Sequence, residues 1–195
     1  MGRLRRDFYR RSTLTVAREL LGKRLVRVMD GRRLSGLIVE VEAYIGEGDA
    51  ACHAARGRTP RNEVMYGPPG HAYVYFSYGM HHCLNVVTEG EGFPAAVLIR
   101  ALEPLEGLEI MRRHRLDKPY SELTNGPAKL CQAMAIERDF NGVDLCTGEA
   151  LFIEEGRRVA QEEIGASPRI GIKADEVARS VPWRFYLQGN DFVSR

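Results

Sequence analysis

Residues 71–87 read HAYVYFSYGMHHCLNVV, and the fold turns on them. Two runs of aromatic and apolar residues, 71–78 and 81–87, flank Gly79, which predicts two strands joined tightly there. Working back, RLVRVM (24–29), a turn around Asp30–Gly31 and SGLIVEVEAY (35–44) form a second hairpin pattern. Gly46 and Gly48 then open a loop that runs to about Asn62. Working forward, AAVLIRAL (95–102) predicts a further strand, and LEGLEIMRRH (105–114) and GPAKLCQAMAI (126–136) have helical spacing. Near the N-terminus, Ser12–Thr13 stand where a helix cap belongs, ahead of Leu14, Ala17, Leu20 and Leu21, and Gly22 closes that helix. The tail alternates strand patterns (ALFIEE, RIGIK, WRFYLQG) with a helix near Ala174–Ala178. The expected fold is α+β: one domain over residues 1–195, a mainly antiparallel curved sheet with packed helices and a protruding β-hairpin.

At 195 residues, with 44% hydrophobic and 28% charged composition, the chain is long enough to bury a substantial core. No apolar run approaches the ~20 residues of a membrane helix, and MGRLRRDFYRR lacks the apolar stretch of a signal peptide. Cys52, Cys83, Cys131 and Cys146 are scattered without a C-x-x-C, the usage of a reduced, cytoplasmic protein. Net charge is only +2, so the overall balance does not announce nucleic acid. Of the 28 basic residues 24 are arginines, whose planar fork suits phosphate, although arginine-rich codon usage would give the same count. The arm carrying Arg3, Arg5, Arg6, Arg10 and Arg11 ahead of the first helix reads as a solvated basic run.

The residues with chemistry cluster between Ile38 and Arg100. Glu42 ends an apolar run; Tyr44, His53, Tyr75 and Asn85 follow, with Tyr78 beside Gly79. One acid among stackable rings and a single amide is equipment for gripping a flat heterocycle and activating one water beside it. On pattern alone Glu42 is equally a surface carboxylate, since Glu40 and Glu42 share one face of a strand. The tyrosines could be core residues, His53 an idle loop histidine, and Arg100 the partner of Glu103. The pairs Cys52–His53 and His82–Cys83, with His71 and His81 nearby, raise a zinc-hydrolase reading, but adjacent ligands on a strand point apart, so no metal and no cofactor are expected. Dinucleotide, phosphate-loop and serine-hydrolase signatures are absent.

VEAYIG (41–46), TPRN (59–62), YVYFSYGM (73–80), LIRALEPLEG (98–107) and GPAKLCQA (126–133) stand in the order of the alkyladenine (3-methyladenine) DNA glycosylase family, which the chain resembles from about Leu14 onward. The resemblance implies a monofunctional enzyme that flips alkylated or deaminated purines, hypoxanthine among them, out of double-stranded DNA and hydrolyses the N-glycosidic bond, beginning base excision repair. It implies Glu42 as general base with Arg100 holding water and phosphate nearby. Tyr44, His53, Tyr75 and Asn85 would form the base pocket, and Tyr78 the wedge that fills the vacated stack. Met80, Arg58, Arg61 and Lys129 would meet the DNA backbone. No lysine falls between Lys23 and Lys118, so water rather than a Schiff-base amine is the expected nucleophile. A chain beginning almost at its first helix suggests the bacterial-type minimal form, a cytoplasmic, nucleoid-associated monomer with no membrane partner. The GEGFPAA turn is an expected departure from the resemblance, longer than in some relatives. The alternative is a non-catalytic module that binds DNA damage.

Overall fold

The computed structural model describes residues 2–77 and 79–194. Eight strands form one open antiparallel sheet: β1 (Arg24–Met29), β2 (Arg32–Ile45), β3 (Ala72–Ser77), β4 (His81–Val87), β5 (Ala95–Glu106), β6 (Leu151–Glu154), β7 (Ile164–Ser167) and β8 (Arg184–Leu187). Among the described residues five short helices accompany it: α1 (Arg6–Tyr9), α2 (Thr13–Leu20), α3 (Leu108–His114), α4 (Pro127–Ala133) and α5 (Glu176–Ser180). The main path runs β3-β4-β5-β2-β1-β6, with β8 on β2 and β7 on β8. The expected α+β domain is what folds.

Both hairpins form where the sequence puts them. Asp30 and Gly31 have φ of 49° and 71°, the left-handed pair of a tight hairpin turn, and hold β1 and β2 in unbroken register from Arg24↔Leu37 to Met29↔Arg32. β3 and β4 pair from Ala72↔Val86 to Ser77↔His81. Helices α2 and α4 lie on the sheet and seal a core that includes Val16, Leu20, Val39, Val41, Ile99, Leu130 and Met134.

Local chemistry departs from expectation in four places. Ser12 does not cap α2: its hydroxyl meets Thr15 Oγ1, and Glu89 from a distant turn accepts from the Thr13 N–H. A carboxylate at a helix N-terminus answers both the free N–H groups and the helix dipole. Strand β5 runs through Pro104 to Glu106 because that proline pairs only with β2, where no ladder hydrogen bond on its other side is required. RIGIK is a turn, not a strand, and the strand lies earlier, at Ile164–Ser167. The basic arm is only partly solvated: Arg5 and Arg10 are exposed, but Arg6 sits inside α1 and pairs with Asp144 at 2.5 Å, and Arg3 stacks 4.2 Å over the Phe152 ring.

Candidate active site

Strand β2 has 14 residues, and two partners divide one of its edges. β1 takes Arg32–Leu37 and β8 takes Glu40–Glu42, while β5 runs along the other edge. The β2–β5 register slips around Glu40, leaving Val39 and Arg100 unpaired between Ile38↔Leu102 and Val41↔Ile99. Such irregularities re-aim side chains. Here the slip carries Arg100 between two glutamates that share a strand face and are both fully buried.

Arg100 Nε donates to Glu40 Oε1 at 2.9 Å, and its Nη1 lies 3.2 Å from Glu42 Oε1. Glu103, the alternative partner, instead accepts from Asn190 at 2.8 Å. Glu42 Oε1 also accepts the Ile170 N–H at 2.7 Å, and Oε2 accepts the Tyr44 hydroxyl at 2.8 Å. Glu40 is more completely engaged, taking Arg184 Nε at 2.6 Å and both the N–H and the hydroxyl of Ser194 at 2.7 Å. Burial works to raise its pKa, but Arg100, Arg184 and Ser194 outweigh it and hold the carboxyl below its ordinary range. Burial likewise works to lower the Arg100 pKa, and Glu42 and Glu40 reverse it. Arg100 is a fixed cation, committed to the two acids and to Ser194 Oγ at 3.3 Å.

Above this layer lies a cavity of about 600 Å³ lined by Tyr44, His53, Tyr73, Tyr75, Asn85 and Arg100, among others. Ligand pockets typically span roughly 300–1,000 Å³, so a purine with its sugar fits. Glu42 lies behind the lining, reached through Tyr44, Arg100 and Ile170, which do face the cavity. The His53 and Tyr75 rings meet edge-on with centroids 4.5 Å apart, and Tyr73 lies tilted against Tyr75 at 5.5 Å. Asn85, opposite Tyr73 in the ladder and 4% exposed, donates its amide to the Tyr73 carbonyl at 3.0 Å.

The rings are tuned to stay uncharged. Although His53 is exposed as a residue, desolvation of its ring, aided by the Arg61 cation, lowers its pKa to about 4. Burial pushes the Tyr73 hydroxyl up to about 12 and the Tyr44 and Tyr75 hydroxyls higher still. His53 Nδ1 stands 2.7 Å from the Tyr73 hydroxyl, beside which Arg61 also lies. That bond uses Nδ1 and leaves the ring's Nε2 without a partner among the described residues. Charge-free rings of this kind suit stacking on a cationic, alkylated heterocycle.

Several contributors gave no clear signal in the sequence. Asp49 and Arg169, 120 residues apart, form a buried two-pronged ion pair at 2.6 and 2.8 Å. Asn62, the last residue of TPRN, ties the loop to itself through Thr59 N, His53 O and Gly57 O, which fixes His53. Tyr73 read only as a strand aromatic. Lys173 lines the cavity from the 168–173 turn, so a lysine is present there after all; chain separation hid it.

Other candidate residues sit outside the cavity or at its edge. Tyr78 lies outside the described residues, but the flanking Phe76 and Met80 are 43% and 70% exposed, an apolar hairpin tip. Arg61 lines the cavity and stacks 5.3 Å over Tyr75. Arg58 pairs with Glu63 at 2.9 Å on the surface, and Lys129 donates to Asn125 at 2.8 Å. Among the described residues no three His, Cys, Asp or Glu side chains converge as metal ligands would. No helix is long and apolar enough to cross a membrane, again among those residues.

An acid braced by a guanidinium thus lies behind an aromatic, amide-edged cavity of a size for a nucleobase. Comparison with known proteins gives the family. Residues 7–191 match methylpurine-DNA glycosylase, and the chain belongs to that family of DNA glycosylases. It is 54% identical over 193 residues to the "Putative 3-methyladenine DNA glycosylase" of Methanocella arvoryzae, covering 98% of this chain and 96% of that one. The protein of the same name from Carboxydothermus hydrogenoformans is 54% identical over 192 residues, 98% of each chain. That of Desulfitobacterium hafniense is 51% identical over 203 residues, 100% of this chain and 99% of the other.

Proposed function

We propose that residues 1–195 act as one 3-methyladenine-type DNA glycosylase domain that draws alkylated or deaminated purines from duplex DNA into the aromatic cavity. There it hydrolyses the N-glycosidic bond with water. The observation that carries this reading is the setting of Glu42, fully buried and held at both oxygens by Ile170, Arg100 and Tyr44, three residues that line the cavity. A carboxylate offers roughly four acceptor positions. Ile170, Arg100 and Tyr44 occupy three of them, leaving one for a water. That water attacks the sugar carbon as the bond to the base breaks, the base leaves with the bonding pair, and Glu42 takes the proton. The ionised acid also stabilises the oxocarbenium-like charge on the sugar.

Tyr44, His53 and Tyr75 hold the base by stacking, and His53 Nε2 hydrogen-bonds to the extruded nucleotide. Asn85 narrows the cavity against purines that carry a bulkier edge. Tyr78, between the exposed Phe76 and Met80, fills the gap in the stack, and Arg58, Arg61 and Lys129 neutralise phosphates. Arg100 orients Glu42 and the water. The protein works as a monomer, in the cytoplasm.

The test is incubation with duplexes that each hold one 3-methyladenine analogue, 7-methylguanine, hypoxanthine or etheno-adenine, with EDTA present. Free base should appear with the strand uncut. Absence of base from every duplex rules the reading out. A protein–DNA adduct trapped by borohydride would reassign the nucleophile to an amine, with Lys173 the candidate.

A further inference from the structure

The Arg169–Asp49 pair is the most completely buried ion pair among the described residues, with side chains 0% and 1% exposed. Desolvating two such charges costs about as much as their attraction returns, and well-packed apolar residues commonly do as well. Stability alone therefore gives little reason for it. Its placement gives a better one. Arg169 donates to both Asp49 oxygens, to the Ala43 carbonyl at 2.9 Å and to the Ala178 carbonyl at 3.1 Å. Its guanidinium lies 4.7 Å from the centroid of Tyr44, the ring whose hydroxyl holds Glu42 Oε2. The next residue, Ile170, supplies the N–H that holds Oε1. Asp49 in turn accepts from the N–H groups of Ile45 and Ala51, at the start of the loop that carries His53. Arg169 Nε is left buried with no partner among the described residues, a cost borne by this orientation.

We propose that Arg169 and Asp49 are positioning residues for base excision. The pair clasps the 168–173 turn to the pocket loop, so that the Ile170 N–H and the Tyr44 hydroxyl grip Glu42 from two sides and leave its remaining acceptor position facing the water. The inference rests on Glu42 being the base. Neither residue touches substrate; both act through the orientation of Glu42. The other groups around this acid are Arg100 from β5, with Glu40 and Arg184 beyond it, Tyr44 from its own strand and Cys83 from β4. Of these, Tyr44 is the one that Arg169 lies against.

Two variants test the clasp: Arg169→Lys, which keeps the charge but cannot span the same acceptors, and the neutral pair Asp49→Asn with Arg169→Gln. Each is measured for melting temperature, lesion-duplex affinity and single-turnover release of hypoxanthine between pH 5 and 9. Positioning predicts affinity within about threefold of the parent and excision down about tenfold or more. The loss should lie in the single-turnover rate of the folded, DNA-bound protein. A purely structural pair would lower the melting temperature while leaving the rate per folded molecule within about threefold of the parent, and that result in either variant overturns the proposal. Should one variant fail to fold, the other still decides. A parent protein that releases no base from any duplex defeats the reading of Glu42 itself, a separate outcome.

Discussion

Two carboxylates stand two residues apart on β2, both fully buried, both beside Arg100, and their surroundings differ in one respect. Around Glu40 the chain closes completely: Arg100, Arg184 and both polar groups of Ser194 saturate it, tying β8 and the C-terminal segment to the sheet. Around Glu42 three groups close in, Tyr44, Ile170 and Arg100, and all three line the aromatic cavity. Burial alone cannot tell a structural acid from a reactive one. What separates them is whether an acceptor position is left over and what that position faces.

The most severe way to break the comparison is Glu42→Gln. The amide keeps shape and loses basicity, so base release should fall by 100-fold or more, toward ~10,000-fold, with lesion-duplex binding and melting temperature near those of the parent. Single-turnover excision within a few-fold of the parent would place the reaction elsewhere. Glu40→Gln should give the opposite profile. It leaves Arg184 and Arg100 short of their shared partner, and breaking a buried pair costs roughly 3 kcal/mol. That loss should appear as a lower denaturation midpoint, while the folded fraction keeps excision within about tenfold. If Glu40→Gln proved as inactive as Glu42→Gln at undiminished stability, the two acids would be working as a unit.

Much of this arrangement was legible along the chain. Local signals carried both hairpins, while the grouping of Tyr44, His53, Tyr75, Asn85 and Arg100, which the structure gathers round one cavity, came from the family resemblance. Strand alternation put Glu40 and Glu42 on one face and left both open to being surface carboxylates, because it says nothing of what covers that face; both are buried. The cover over Glu40 comes from Arg184 and Ser194, more than 140 residues away. The same limit hid the Arg169–Asp49 clasp and the arrival of Lys173 at the cavity. RIGIK looks like a strand by composition, yet its backbone is spent on a turn that presents the Ile170 N–H to Glu42.

Asn85→Ser sharpens the open side of the comparison. Asn85 is pinned by its amide to the Tyr73 carbonyl, so it stands as a wall of the cavity rather than a mobile contact. Removing the wall should leave hypoxanthine release nearly unchanged and raise release of undamaged guanine relative to it by about tenfold, the scale of a small steric change in a pocket. An unchanged ratio of guanine to hypoxanthine would mean that selection is made before the base reaches the cavity.

The smallest effect concerns a third acid, Asp144, which is structural like Glu40 but partly open to water. It accepts from Arg6 at 2.5 Å, from the Cys146 N–H at 2.9 Å and from the Thr147 hydroxyl at 3.0 Å. Burial works to raise its pKa, yet these donors outweigh it and hold the carboxyl at about 2, against 3.8 for an ordinary aspartate. A depressed folded value means that the ionised form stabilises the fold above pH ~4 and that this contribution fades as pH falls toward 2. Because the pair is solvent-screened, its worth is roughly 1 kcal/mol rather than what the full shift would imply. Asp144→Asn should therefore unfold at slightly lower denaturant at pH 7, and the gap to the parent should close between pH 4 and 2. A gap that stays constant down to pH 2 would show that the charge on Asp144 contributes nothing. Excision by this variant should match the parent, since Asp144 lies on neither side of the divide that Glu40 and Glu42 mark.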